Sequence, residues 1–141
     1  SKRDLVKTID SLLDEGVLIP DKHPDIIFSE LEVEAEKLLQ NEEKLNYIHN
    51  RIKFALISRF FANADREAEA FSKACEVAYF SRFHRLSARL NSIAGHMYLQ
   101  TENKRLAVLA YTRAGVSSAR ARMFHAARDY FELAEETAGN D

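Results

Sequence analysis

The 141-residue chain reads as an all-α protein, and three observations give that class. Hydrophobic residues make up 46% and charged residues 30%, yet there are only four glycines and two prolines. That is too few turn formers for a many-stranded β protein. Apolar residues recur at helical spacing along most of the chain. Finally, residues 90–114, LNSIAGHMYLQTENKRLAVLAYTRA, read as two antiparallel helices clamped by small residues. Ala94 and Gly95 are followed by Tyr98, and Ala107 by Tyr111 and Ala114. The small residues let two backbones approach, and the rings fill the space above and below them. Thr101-Glu102-Asn103 supplies the break, with Thr101 or Asn103 capping the second helix through a side-chain oxygen.

The length suits one domain, residues 1–141, with a core large enough to fold without disulfides or metal. The single cysteine, Cys75, lies among Ala70, Phe71, Ala74 and Val77, where a buried thiol is expected. Such cysteine usage fits a reducing compartment. With no apolar run of about eighteen residues and no signal-peptide pattern, the expectation is a cytoplasmic chain that does not enter a membrane. Net charge is −2, but residues 1–50 carry −6 and residues 51–141 carry +4. Between Arg82 and Arg128 nine basic residues face one acidic residue, Glu102. That segment is the strongest electrostatic feature of the sequence.

Taken in order, residues 3–15 put Leu5, Val6, Ile9, Leu12 and Leu13 on one helical face, and Gly16 ends the helix. This helix with the following VLI also resembles the recognition helix and first wing strand of a winged-helix domain, although the upstream helices and second wing strand are absent. His23-Pro24-Asp25 resembles the tripeptide of J-domain co-chaperones, but an acidic helix, not a basic one, precedes it. The plainer reading is a helix start, with Asp25 or Ser29 as the cap. Residues 26–40 turn Ile27, Leu31, Ala35 and Leu38 inward and spread Glu30, Glu32, Glu34 and Glu36 over an acidic surface. Asn41 is expected to cap the next helix.

Residues 42–62 form the longest helical pattern, apolar on more than one face, and so predict a central helix contacted from both sides. Ile57, Ser58 and Phe61 repeat the Ala94, Gly95 and Tyr98 pattern. Beyond a break at Asn63-Ala64-Asp65, Ala70, Ala74 and Val77 correspond to Ala107, Tyr111 and Ala114, which sets two units 37 residues apart. Residues 122–138 give a last amphipathic helix. Its Ala127, Phe131 and Ala134 follow Ala107 by only 20 residues, so a solo closing helix is expected rather than another repeat.

The small–small–aromatic and small–aromatic–small pattern resembles the tetratricopeptide repeat over residues 51–121, with one good and one degenerate unit. The usual Trp is replaced by Asn91 and Phe54, and the closing Pro is missing. The resemblance implies antiparallel helical hairpins stacked as a short right-handed array, about seven helices in all. Residues 1–50 would be acidic N-terminal helices and 122–141 the closing helix. It also implies an adaptor or regulatory module whose first helices line a groove for a peptide or protein partner. The positions carried over are Arg59 and Asn63 from the first unit and Arg89, Ser92, His96 and Gln100 from the second. Open ends of a short array also favour self-association into a homo-oligomer.

The alternative reading is nucleic-acid association through a basic patch of Arg82, Arg85, Arg105, Arg113, Arg120, Arg122 and Arg128, interleaved with Phe83, Tyr111 and Phe124. The five histidines include no pair at i,i+4, the glycines stand alone, and no serine lies in a nucleophile elbow. No catalytic residue, metal or cofactor is expected, and the chain is read as a non-enzyme.

Overall fold

The computed structural model describes residues 1–139. Residues 140 and 141, the tail of the expected closing segment, lie outside the described residues. The described chain is all-α: α1 (Lys2–Glu15), α2 (Pro24–Gln40), α3 (Lys44–Phe60), α4 (Ala64–Phe80), α5 (His84–Gln100), α6 (Lys104–Arg120) and α7 (Phe124–Gly139). Sequential helices pack as antiparallel hairpins, α5 on α6 and α6 on α7, and likewise α2 on α3.

The repeat is more regular than the sequence reading allowed. From α2 to α7 the helices begin at 24, 44, 64, 84, 104 and 124, a 20-residue period in which a three-residue turn follows each 17-residue helix. The 20-residue spacing of α7 from α6 is therefore the rule of the array. The two units expected 37 residues apart are 40 apart.

The turns explain the regularity. Glu42, Ala62, Arg82, Glu102 and Arg122 all take the left-handed conformation, φ 55–63°. At each, the N–H of the next residue reaches back to a carbonyl in the last helical turn: Glu43 to Leu38 (2.9 Å), Asn63 to Ser58 (2.8 Å), Phe83 to Ala78 (3.1 Å), Asn103 to Tyr98 (2.8 Å) and Met123 to Ser118 (2.8 Å). This is the Schellman closure, built five times without glycine at its left-handed position. The residue that closes one helix also accepts the first bond of the next, as when Tyr47 donates to the Glu43 carbonyl (2.9 Å). Asn41 thus ends α2 and does not cap α3. Similarly, His23 Nδ1, not Asp25 or Ser29, caps α2 by accepting from the Asp25 N–H (3.2 Å). Asn103 caps α6 as expected, accepting from the Leu106 N–H (3.3 Å).

Two compact units, Ser1–Val77 and Ala78 onward, divide the chain within α4. In the first, both α1 and α2 pack on α3. Helix α3 accordingly buries residues around most of its circumference, including Ile48, Ile52, Phe54 and Leu56. In the second, α6 is sandwiched between α5 and α7, and two glycine–ring locks hold the helices together. A Cβ at Gly95 would lie 2.6 Å from the Tyr111 ring, and one at Gly115 would lie 2.7 Å from the Phe131 ring. No side chain larger than hydrogen fits either place without moving the neighbour. Tyr111 and Ala107 are fully buried there, with Tyr98, Tyr130 and Leu133 packed around them.

Candidate functional site

The clearest unassigned surface is a stripe of α5. Arg89, Ser92, His96 and Gln100 fall three or four residues apart and so share one side of the helix. Arg89 and Ser92 are half-buried, and His96 and Gln100 are exposed. His96 is held in place: its Nδ1 and the Tyr111 hydroxyl are 2.9 Å apart, and the two rings meet edge-on at 5.5 Å. Burial pushes the Tyr111 phenol above its usual pKa, so it stays protonated near neutral pH.

The other expected groove residues, Arg59 and Asn63, lie in the first unit. Arg59 is tied within its own unit, donating to the Gly16 carbonyl (2.9 Å) and to Glu67 Oε2 (2.9 Å). Asn63 caps α4, its Oδ1 accepting from the Arg66 N–H (3.1 Å). Their expected place in the groove rests on the three-residue error in period. In the true register, Arg89, Ser92, His96 and Gln100 correspond on α3 to His49, Ile52, Leu56 and Phe60. Ile52 and Leu56 are buried, in keeping with the additional helix, α1, that packs on α3.

The basic residues divide by the direction of their helices. Turns 81–83 and 121–123 stand at one end of the second unit, as the 3.5 Å approach of Arg85 Nη1 to Met123 Sδ confirms. That end gathers Arg82, Arg85, Arg120 and Arg122, all exposed. Arg113 lies 5.1 Å from the Tyr79 ring centre and 5.3 Å from that of Phe80, and Arg120 lies 5.7 Å from Tyr79. Arg105 lies in the first turn of α6 and belongs to the opposite end. Arg128, on the exposed side of α7, has Glu132 at 3.9 Å. Tyr111, read with the patch as a stacking ring, is core and reaches no base. Tyr79 and Phe80, which sequence reasoning passed over, are the rings that lie against these arginines; their signal was a pair of adjacent aromatics at a helix end.

A second polar constellation was also missed. Arg51 is only 3% exposed, yet its Nε and Nη2 donate to Asn50 Oδ1 (2.9 and 2.7 Å) and its Nη1 to Glu32 Oε1 (2.6 Å). Its guanidinium stacks on Phe54 at 4.7 Å. Asn50 in turn donates to the Leu31 carbonyl (3.0 Å) and to Glu34 (2.8 Å). The network borders a cleft of about 500 Å³ lined by Phe28, Ser29, Phe54 and Arg66, among others. Arg51 spends its donors on its own chain, and Arg66 stacks on Phe28 at 4.7 Å. The arrangement pins α2 to α3 and α4, which is a structural role.

Among the described residues, no group of three His, Cys, Asp or Glu side chains is placed to hold a metal ion, and no helix is long and apolar enough to cross a membrane. No protein-family model, curated protein or solved structure matches the chain.

Proposed function

We propose that the chain is a protein–protein interaction module of the helical-repeat kind, an adaptor or regulatory domain with no chemistry of its own. In this reading a peptide or protein segment lies along α5, contacted by Arg89, Ser92, His96 and Gln100. The observation that carries it is the contrast in register at two of these positions: Ile52 and Leu56 of α3 are apolar and buried, whereas their α5 counterparts are a half-buried serine, Ser92, and an exposed histidine, His96. An imidazole fixed by Tyr111, an arginine and an amide at helical spacing suit the backbone and carboxylates of an extended or helical partner. The tetratricopeptide likeness and a cytoplasmic, reducing setting belong to the same proposal, supported by the hairpin architecture and the buried thiol of Cys75.

Site-specific photo-crosslinking tests it. A photoreactive residue at Ser92 is expected to trap a saturable, nuclease-resistant partner in host extract, and one at exposed Glu135 on α7 is not. Adding His96→Glu should abolish the Ser92 adduct. Equal trapping from both positions, or an adduct indifferent to His96, contradicts the reading.

A further inference from the structure

The basic end of the second unit adjoins the α5 stripe, Arg85 lying one helical turn before Arg89, but it has a different chemistry. From Val77 to Thr101 and from Asn103 to Arg128 there is no Asp or Glu. The one intervening carboxylate, Glu102, sits in the turn at the opposite end of α5 and α6, where the last turns of α7 also place Glu135 and Glu136. The unit is therefore polarised along its helices. Guanidiniums dominate the fixed charges of the positive end, with Asp129 in the second turn of α7 the nearest carboxylate on that helix, and Arg82 and Arg122 occupy equivalent left-handed turn positions, φ 63° each. A non-glycine residue in that conformation is disfavoured, so each arginine projects from the turn at some cost in stability.

Two large rings are exposed at the same end. Phe80, the last residue of α4, and Phe124, the first of α7, are each 64% exposed. Behind them Arg113 and Arg120 lie against Tyr79 and Phe80, a guanidinium–aromatic stack that an added planar ring would extend.

We infer that this end, built by turns 81–83 and 121–123, binds single-stranded nucleic acid, with Arg82, Arg85, Arg120 and Arg122 on phosphates and Phe80 and Phe124 under bases. Charge complementarity alone would admit an acidic peptide. The exposed ring faces among planar guanidiniums favour the nucleic acid, because stacking platforms beside phosphate-binding cations are what a single strand uses. Four phosphate contacts give a defined salt response: the slope of log K against log salt is about −3.

The test is fluorescence anisotropy with the whole chain and a labelled oligothymidylate of about twelve nucleotides. A labelled polyglutamate of similar charge serves as competitor and as second probe. Expected are a salt slope of about −3 and at least about tenfold weaker binding for the double variant Arg120→Glu, Arg122→Glu. Phe124→Ala should weaken binding by about fivefold to a hundredfold with the salt slope unchanged. Arg105→Glu, at the opposite end, should leave affinity within about twofold, and circular dichroism should show every variant as helical as the parent. Absence of binding, indifference to Phe124→Ala, or polyglutamate binding as tightly as the oligonucleotide overturns the inference, the last in favour of an acidic protein ligand.

Discussion

Helices α3 and α5 stand 40 residues apart in register, have the same length and are closed by the same turn, yet α3 is buried on nearly every side and α5 keeps one side open. The difference follows from their neighbours. Helix α3 packs against both α1 and α2, and its sequence is apolar at Ile52 and Leu56 to match. On α5 the corresponding residues are Ser92 and His96. One backbone plan thus yields a core helix or a presenting helix according to two or three side chains.

Exchanging those side chains gives the largest expected effect. Ile52→Ser removes a fully buried branched chain and should cost about 3 kcal/mol in denaturant unfolding. Ser92→Ile, the reverse exchange on α5, should change stability by less than about 0.5 kcal/mol. Similar costs for the two would mean that the α5 stripe is as covered as that of α3.

Next in size is the glycine lock. Gly95→Ala places a methyl against the Tyr111 ring and should destabilise by about 1–2 kcal/mol despite alanine's higher helix propensity. On α3 the same position is already alanine, Ala55. Replacing it by glycine should cost about 1 kcal/mol, from propensity.

Protonation separates the two helices further. Burial, with Lys53 adding to it and Glu34 opposing, pushes the half-buried His49 imidazole on α3 below its usual pKa. The folded state then binds fewer protons than the unfolded state as pH falls below about 6.5. Stability is therefore highest above that pH and declines as pH drops toward the folded-state pKa. Melting curves between pH 7.5 and pH 5 should show this decline, and His49→Gln should flatten it.

The smallest expected effects concern the serines that supply the last-turn carbonyls. Ser58 Oγ on α3 donates to the Phe54 carbonyl (2.7 Å), whereas the buried Ser118 Oγ on α6 has no hydrogen-bond partner among the described residues. Ser58→Ala should cost about 0.5–1 kcal/mol, and Ser118→Ala should be neutral or stabilising by up to about 1 kcal/mol.

Much of this was legible in the sequence. Helical periodicity gave the all-α class, and the Ala94–Gly95 and Tyr111 pairing marked a real contact. What misled was the turn chemistry. Five turns place Glu, Ala, Arg, Glu and Arg where glycine usually announces a helix end, so the break after α3 was placed two residues late. The true period was visible in Ala74, Ala94, Ala114 and Ala134, all buried and 20 residues apart. The α5 stripe could be read because its residues lie on one helix. The Arg51 network and the Arg113–Tyr79 stack join residues 16 to 34 positions apart on different helices, and no local pattern records such pairings.

The central claim, that α5 is open where α3 is closed, is tested most directly by thiol labelling at the equivalent positions His96 and Leu56. In a Cys75→Ala background, His96→Cys is expected to react at the rate of an exposed thiol. Leu56→Cys should react at least about a hundredfold more slowly, limited by opening of the first unit. Equal rates at the two positions would contradict the account.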